Sequence, residues 1–341
     1  AFRKTAFQQL FLASLVLALC HAAMDFKFDF GAPTAGTDFK FNFGASSTST
    51  ASRDEAGGEK AVSTTPEGFL VPREVAVDWQ ADIPDEETIE ALFEEVNFTG
   101  REPIRRCRPP NSSSLEGPIS EAMQNSDLVP GVYEGGFKVW ECSIDLVNYL
   151  VGSKVVLSDQ RVIELGCGHG LPGIHALQQG ASVDFQDYNP EVLTEVTVPN
   201  IKLNCPDPAK PPRVFSGDWG QLPAVIARAE EKTSAHSEDD LGPGPAVGEG
   251  TYDMVLTAET IYDVTSAARL IECMRRLLKP SGVAYIAAKS YYFGVGGSTR
   301  QFEEQVAQRE KERRLESVGR WQDGASNVRE VLRLGPVVGA E

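Results

Sequence analysis

The stretch Glu164-Leu-Gly-Cys-Gly-His-Gly170 has the residue types that bring a backbone close to a ligand. It follows the apolar Arg161-Val-Ile163 and precedes Leu171-Pro-Gly-Ile-His-Ala-Leu177, so it reads as strand, glycine-rich turn and helix. Glycine at 166, 168 and 170 removes the Cβ atoms that would bar a sharp turn or a close approach. Ala181-Ser-Val-Asp-Phe-Gln-Asp-Tyr188 comes next as a second strand ending in Asp187. A carboxylate about 20 positions after such a turn suits ribose hydroxyls. The unit reads as a nucleoside-cofactor site.

The spacing here is G-x-G-x-G, led by Glu164. A dinucleotide site instead wants G-x-G-x-x-G with a helix N-terminus on the pyrophosphate. The pattern resembles the first motif of the seven-strand methyltransferases, whose cofactor, S-adenosylmethionine, has no phosphate to cradle. On the loop alone, a dinucleotide binder and a glycine-rich turn without a ligand stay open.

The elements that must position this loop can be read from periodicity. Ser143–Val151 has helical spacing, with Ile144, Val147, Leu150 and Val151 on one side. Strands are predicted at 161–165, 182–187, 213–216, 252–257 and 282–288, with helices at 171–179, 190–202 and 266–278 between them. Alternating strands and helices predict a parallel sheet covered on both faces. A charged helix over Gln301–Ser317 and a strand over Asn327–Arg333 would complete a seven-stranded sheet. Ala229–Gly250, rich in Glu, Asp, Gly and Pro, reads as a disordered acidic insertion.

The dense domain spans 128–341, and 24–127 reads as a mostly disordered N-terminal region. That region contains the repeat Asp25-Phe-Lys-Phe-Asp-Phe-Gly31 and Asp38-Phe-Lys-Phe-Asn-Phe-Gly44. Glu86–Glu95 reads as a short acidic amphipathic helix, and Arg101–Pro110 as a basic patch. Residues 1–23 hold a short apolar run after Arg3 and Lys4, in the manner of a signal peptide. The first Met is Met24, so the leader reads either as sequence upstream of the true start or as a targeting segment, with the former preferred. Asn97-Phe-Thr99 and Asn111-Ser-Ser113 match the glycosylation pattern, which matters only in a secreted chain.

Composition limits the function classes. The chain has 341 residues and a formal net charge of −17, which leaves no basic surplus for phosphates and argues against a general nucleic-acid binder. The same charge suits a basic protein substrate. The leader is too short for a convincing membrane span. Six cysteines show no C-x-x-C pair and read as free thiols. The four histidines do not converge, so no metal is expected.

Four further segments narrow the reading: Tyr133-Glu-Gly-Gly-Phe-Lys-Val-Trp-Glu-Cys-Ser143, Gln186-Asp-Tyr-Asn189, Gly217-Asp-Trp219 and Thr257-Ala-Glu-Thr-Ile-Tyr262. The last three lie at or just past predicted strand C-termini, where open α/β sheets bind ligands. With Glu195-Val-Thr-Val-Pro-Asn200 and Lys289-Ser-Tyr-Tyr-Phe-Gly-Val-Gly-Gly297, they resemble the protein-histidine methyltransferases that modify a large-subunit ribosomal protein. The resemblance covers roughly Leu128–Gly297 and Asn327–Leu334, and the Phe/Gly-rich arm is similar too. The leader and the acidic insertion depart from the family's pattern.

The resemblance implies a Rossmann-like, seven-stranded class I fold and a catalytic domain that uses S-adenosylmethionine. It implies cofactor contacts from Gly166, Gly168 and Gly170, and from Gln186, Asp187 and Tyr188. Further contacts would come from Gly217, Asp218 and Trp219, with Asp218 receiving the adenine amino group and Trp219 packing on the ring. Trp140 and Glu141 would form a lid, with cofactor contacts also from Val139, Cys142 and Ser143, and Thr257 and Ala258 would line the cofactor beside strand four. An aromatic face near a sulfonium gains about 0.5–2 kcal/mol. Glu259 and Tyr262 would act on the acceptor, Glu259 accepting the imidazole N–H, although Glu259 also reads as a cap for Thr260 and the residues after it. The expected protein is a cytoplasmic and nuclear enzyme acting on a basic large-subunit ribosomal protein. A lysine methyltransferase of the neighbouring branch and a non-catalytic ribosome-assembly scaffold stay open beside it.

Overall fold

The computed structural model describes residues 63–66, 68–81, 92–234, 250–322 and 327–337, all within one compact unit over 60–341. The leader, the Phe/Gly repeat and residues 235–249 of the acidic insertion lie outside the described residues.

The chain forms β1 (Arg73–Glu74), β2 (Phe93–Phe98), β3 (Arg101–Cys107), α1 (Pro118–Asn125) and α2 (Glu141–Gly152). Next come β4 (Arg161–Leu165), α3 (Leu171–Gln178) and β5 (Ser182–Asp187). A π-helical turn over Leu193–Thr197 leads into α4 (Val198–Asn204), β6 (Val214–Ser216) and α5 (Leu222–Ser234). The remainder is β7 (Tyr252–Ala258), α6 (Val264–Leu277), β8 (Leu278–Lys289), α7 (Thr299–Arg309), β9 (Arg313–Trp321) and β10 (Arg329–Pro336).

The large sheet runs β1-β6-β5-β4-β7-β8-β10-β9. Strands β6, β5, β4, β7 and β8 are parallel, and β10 is antiparallel to both of its neighbours. This is the expected class I order, extended by the two-residue β1 against β6. Chain order reverses at β4, which lies between β5 and β7, and that reversal opens a crevice at the strand C-termini.

The central strands are buried on both faces, because helices cover both. In β4, Val162 joins the core under α2, α3 and α4 with Leu146, Ile174 and Ile201. Its neighbour Ile163 joins the opposite core with Ile226, Leu270 and Phe302 from α5, α6 and α7. The buried face of α2 is Cys142, Asp145, Leu146, Val147 and Leu150, while Ile144 and Val151 are only partly covered. Buried Asp145 is answered by the Arg329 guanidinium at 2.5 Å.

Four expectations need correction. Phe93–Asn125, expected within a mostly disordered region, holds a hairpin and a helix. The hairpin pairs Phe93 with Cys107 and Val96 with Ile104, turning through Gly100 at φ 78°. Phe93 and Cys107 join one apolar cluster and Val96 and Ile104 another, and the Glu94–Arg106 and Glu95–Arg105 ion pairs cross the ladder on opposite faces. It docks through Cys107 N–H to Asn200 Oδ1 at 2.6 Å and Arg101 Nη1 to His175 Nδ1 at 2.9 Å. Glu86–Glu95 is not one helix either. Residues 86–91 lie outside the described residues, and Phe93–Glu95 begin β2. Finally, Arg313–Ser317 belongs to strand β9 and not to the helix before it, and residues 229–234 of the expected insertion finish α5. Pairing with β10 overrides local helix preference there, and the charged side chains suit a sheet edge.

Gly173 tests the packing of α3 on the sheet. A Cβ there would stand 2.3 Å from Phe185 Cε1 and 2.6 Å from Glu164 Oε2, both buried. Gly173→Ala should therefore cost about 1–3 kcal/mol of stability, read as a lower midpoint in denaturant unfolding.

Candidate cofactor cleft and acceptor site

The C-terminal ends of β4, β5, β6 and β7 are held level by parallel register: Leu165 pairs with Gln186 and Thr257, and Asp187 with Ser216. The loops after them therefore meet in one cleft of about 880 Å³, open space at its mouth included.

Gly166, Gly168 and Gly170 all take positive φ, at 63°, 48° and 72°. At Gly168 the reason is packing as well as turning: a Cβ would lie 3.0 Å from the Gly136 carbonyl oxygen. The glycine loop thus presses against the Tyr133–Trp140 segment. The Gly168 N–H donates to Asp187 Oδ2 at 2.9 Å, and the Asn189 N–H donates to Oδ1 at 3.1 Å. Each Asp187 oxygen keeps acceptor capacity for a ligand hydroxyl. Burial pushes its carboxyl up to about 6, against these two hydrogen bonds. Glu164 is buried behind the loop and accepts from Gly173 N–H at 2.8 Å, and burial holds its carboxyl well above the usual range.

At the far end, Asp218 Oδ2 accepts from Arg269 Nε at 3.0 Å, and Oδ1 accepts from Gly220 N–H at 2.8 Å. The Tyr188 hydroxyl accepts from Leu70 N–H and donates to the Gly131 carbonyl, both at 3.1 Å. At the near end, the Trp140 indole donates to the Gly135 carbonyl at 3.0 Å. Two ammonium groups flank its ring, Lys138 at 4.7 Å and Lys289 at 5.2 Å from the centroid.

The candidate residues divide by position. Val139, Trp140, Ser143, Gly166 and Gly168 line the cleft. So do Asp187, Tyr188, Gly217, Asp218, Trp219 and Ala258, together with Glu259 and Tyr262. Gln186 sits behind the wall. It accepts from Gly166 N–H and Trp219 Nε1 and donates to the Gly217 carbonyl. Thr257 Oγ1 donates to the Leu165 carbonyl at 2.7 Å, away from the cleft. Gly170 caps α3, and Cys142 is fully buried in the first turn of α2. Glu141 faces an adjoining cavity and pairs with Arg329 at 3.5 Å.

That adjoining cavity shares Glu134, Trp140, Glu259 and Tyr262 with the cleft and is bordered by Lys289, Tyr291, Tyr292 and Phe293. Glu259 is unusual twice over. It holds φ 58°, where L side chains are strained, and it is 8% exposed while neither carboxylate oxygen has a hydrogen bond among the described residues. The Lys289 ammonium compensates its charge at 3.5 Å. After burial, the Glu259 charge is the next cause that pushes up the Cys142 thiol and the Tyr292 hydroxyl beside it. The Tyr262 hydroxyl donates to Glu134 Oε2, and burial with that carboxylate pushes the phenol far up.

The sequence reading gave no role to Glu134, Lys289, Phe69 or Arg269. Glu134 and Lys289 stand inside segments already singled out, so their proximity to the motifs is the signal. Nothing local marks Phe69 or Arg269. Among the described residues, no group of three or more His, Cys, Asp or Glu is placed to hold a metal ion, and no helix is long and apolar enough to cross a membrane.

Comparison with known proteins agrees with this geometry. A family profile described as a methyltransferase domain matches residues 141–322. A Dictyostelium discoideum protein named histidine protein methyltransferase 1 homolog is 41% identical over 62% of this chain and 61% of its own length. Its Mus musculus namesake is 38% identical over 54% of this chain and 53% of its own. The Mus musculus EEF1A lysine methyltransferase 3 is 30% identical over 45% of this chain and 55% of its own. The chain thus spans under two thirds of the length of each of these relatives. A glycine loop, a level row of strand ends and a nucleoside-sized cleft, matched by that profile over more than half the sequence, place the chain in the methyltransferase domain family.

Proposed function

We propose that this chain transfers a methyl group from S-adenosylmethionine to a histidine side chain of a protein, a basic large-subunit ribosomal protein being the substrate. The relatives' names support histidine as the acceptor. The observation that carries the reading is the buried Glu259 carboxylate, with no hydrogen bond to either oxygen among the described residues, at the junction of cleft and cavity. Lys289 offsets its charge at 3.5 Å, and the carboxylate keeps acceptor capacity inside a buried site, which suits a donor brought by the substrate.

The cleft fits the cofactor. Asp187 offers lone pairs to ribose hydroxyls, the loop around Gly168 leaves backbone room, and Trp219 and Tyr188 supply ring faces at the base end. When bound, S-adenosylmethionine supplies an electrophilic methyl on a sulfonium. The chain's own residues do the rest. Glu259 accepts the N–H of a neutral imidazole, which fixes the tautomer and leaves the other nitrogen's lone pair for attack. As the N–CH₃ bond forms and the S–CH₃ bond breaks, the ring becomes cationic, and the carboxylate stabilises that charge. The ring N–H proton then leaves through Glu259 to solvent. Trp140 and Tyr262 border the junction and exclude water, which is orientation work worth several kcal/mol. Acidic Glu134 and Glu141 at the cavity, with the net charge of −17, suit a basic substrate segment. Such a substrate would put the enzyme in the cytoplasm and nucleus.

Incubation with methyl-labelled S-adenosylmethionine and ribosomal proteins, followed by acid hydrolysis, should give labelled methylhistidine. Methyllysine would move the chain to the neighbouring branch, and no label despite cofactor binding would point to a scaffold. Transfer should rise with pH and level off above about 6.5, where imidazole is neutral, whereas lysine transfer climbs to about pH 9. Glu259→Gln should cut turnover by roughly 10²-fold or more while cofactor affinity changes little. Asp187 supplies a further test. Its carboxylate gains a proton below about 6, so calorimetric affinity for S-adenosylhomocysteine should fall as pH drops through 6 and stay level above. Asp187→Asn should flatten that profile.

A further inference from the structure

The strap formed by the described residues between Ser63 and Val77 precedes the part of the chain matched by the family profile, yet it is built into the cleft. It binds the sheet's C-terminal edge at two loops. The Asp218 N–H donates to the Leu70 carbonyl at 3.0 Å, and the Leu70 N–H donates to the Tyr188 hydroxyl at 3.1 Å. β1 then pairs Arg73 with Ser216 and Glu74 with Phe215, and Val75 N–H donates to the Val214 carbonyl at 2.7 Å. Contact at the bend is tight: a Cβ on Gly217 would stand 2.5 Å from Pro72 Cα.

Phe69 is held at the tip of this strap before any ligand arrives. Thr65 N–H donates to the Phe69 carbonyl at 2.7 Å, and Phe69 N–H donates to Thr65 Oγ1 at 3.2 Å. Its ring lines the cleft with Tyr188, Asp218 and Trp219. The Arg269 guanidinium sits 3.9 Å from the ring centroid while bonded to Asp218. One cation thus fixes both the ring and the carboxylate, and it occupies acceptor capacity on Asp218.

We infer that Phe69 is part of the cofactor site: it forms the outer aromatic wall of the nucleobase end, with Arg269 as its positioning residue. This rests on the cofactor reading above. The base packs against a ring from the N-terminal strap as well as against residues of the domain. A ring wall adds to affinity beyond the area it buries, so its loss is worth several-fold in binding.

The test is calorimetric titration of the full chain with S-adenosylhomocysteine, comparing Phe69→Leu with Phe69→Tyr, each checked for an unchanged unfolding midpoint. Phe69→Leu should bind roughly fivefold more weakly or worse, Phe69→Tyr within about twofold of the native chain, and KM for the protein substrate should not move. Native affinity in Phe69→Leu overturns the inference, as do equal losses in both variants, which would mean packing alone. A native chain that binds no S-adenosylhomocysteine overturns the cofactor reading itself, a result the variant comparison cannot mimic.

Discussion

One side-chain amide, that of Gln186, holds the site together. Its oxygen accepts from the backbone of the glycine loop and from the Trp219 indole, and its nitrogen donates to the Gly217 carbonyl. Loops that leave different strands are thereby fixed at one depth. The residue is 1% exposed, so these bonds form where water does not compete and none is cheap to break. Asp187, the next residue on β5, lines the cleft and adds a tie to Gly168. The alternation of a strand explains the division: adjacent residues face opposite ways, one toward support and one toward the ligand.

Glu259 shows the opposite economy. Its left-handed backbone and its buried carboxylate, paired with Lys289 at 3.5 Å, both weigh against the folded state. They persist because β7 and β8 fix the backbone: the Glu259 N–H donates to the Ala287 carbonyl at 2.9 Å. The Glu259 corner is thus strained, while the cofactor cleft that it also lines is heavily cross-linked. That contrast sets a rigid cofactor cleft beside one buried carboxylate with acceptor capacity to spare.

Much of this was legible in the sequence because the motifs lie at the ends of apolar runs. Val162-Ile163, Val183, Phe185 and Met254-Val-Leu256 announce buried parallel strands, although Glu164 and Asp184 interrupt two of them, and the loop after each must face the crevice. Legibility failed where pairing, not local pattern, decides. Arg313–Trp321 alternates charged and partly buried residues, and its ladder with β10 makes it a strand. The Phe93–Cys107 hairpin reads as acidic helix and then basic patch until the two halves neutralise each other across the ladder. Gln186 and Thr257 were visible as motif members, but which way they point depends on neighbours far away in sequence. Phe69 had no motif to mark it, since what brings it to the cleft is the pair of hydrogen bonds that the adjacent Leu70 makes to Asp218 and Tyr188.

The short β1 has a consequence beyond the cleft. A sheet that ended at β6 would present a row of unpaired N–H and C=O groups, a template for another chain to extend. Here that rim is capped by only two paired residues, Arg73 and Glu74, both charged and exposed, and by Pro72 just before them, which has no N–H to offer. At the opposite rim β9 carries Arg313, Arg314, Glu316 and Arg320. Both margins of the sheet are therefore poor templates for edge-to-edge pairing, and the strap that carries Phe69 also supplies one of them.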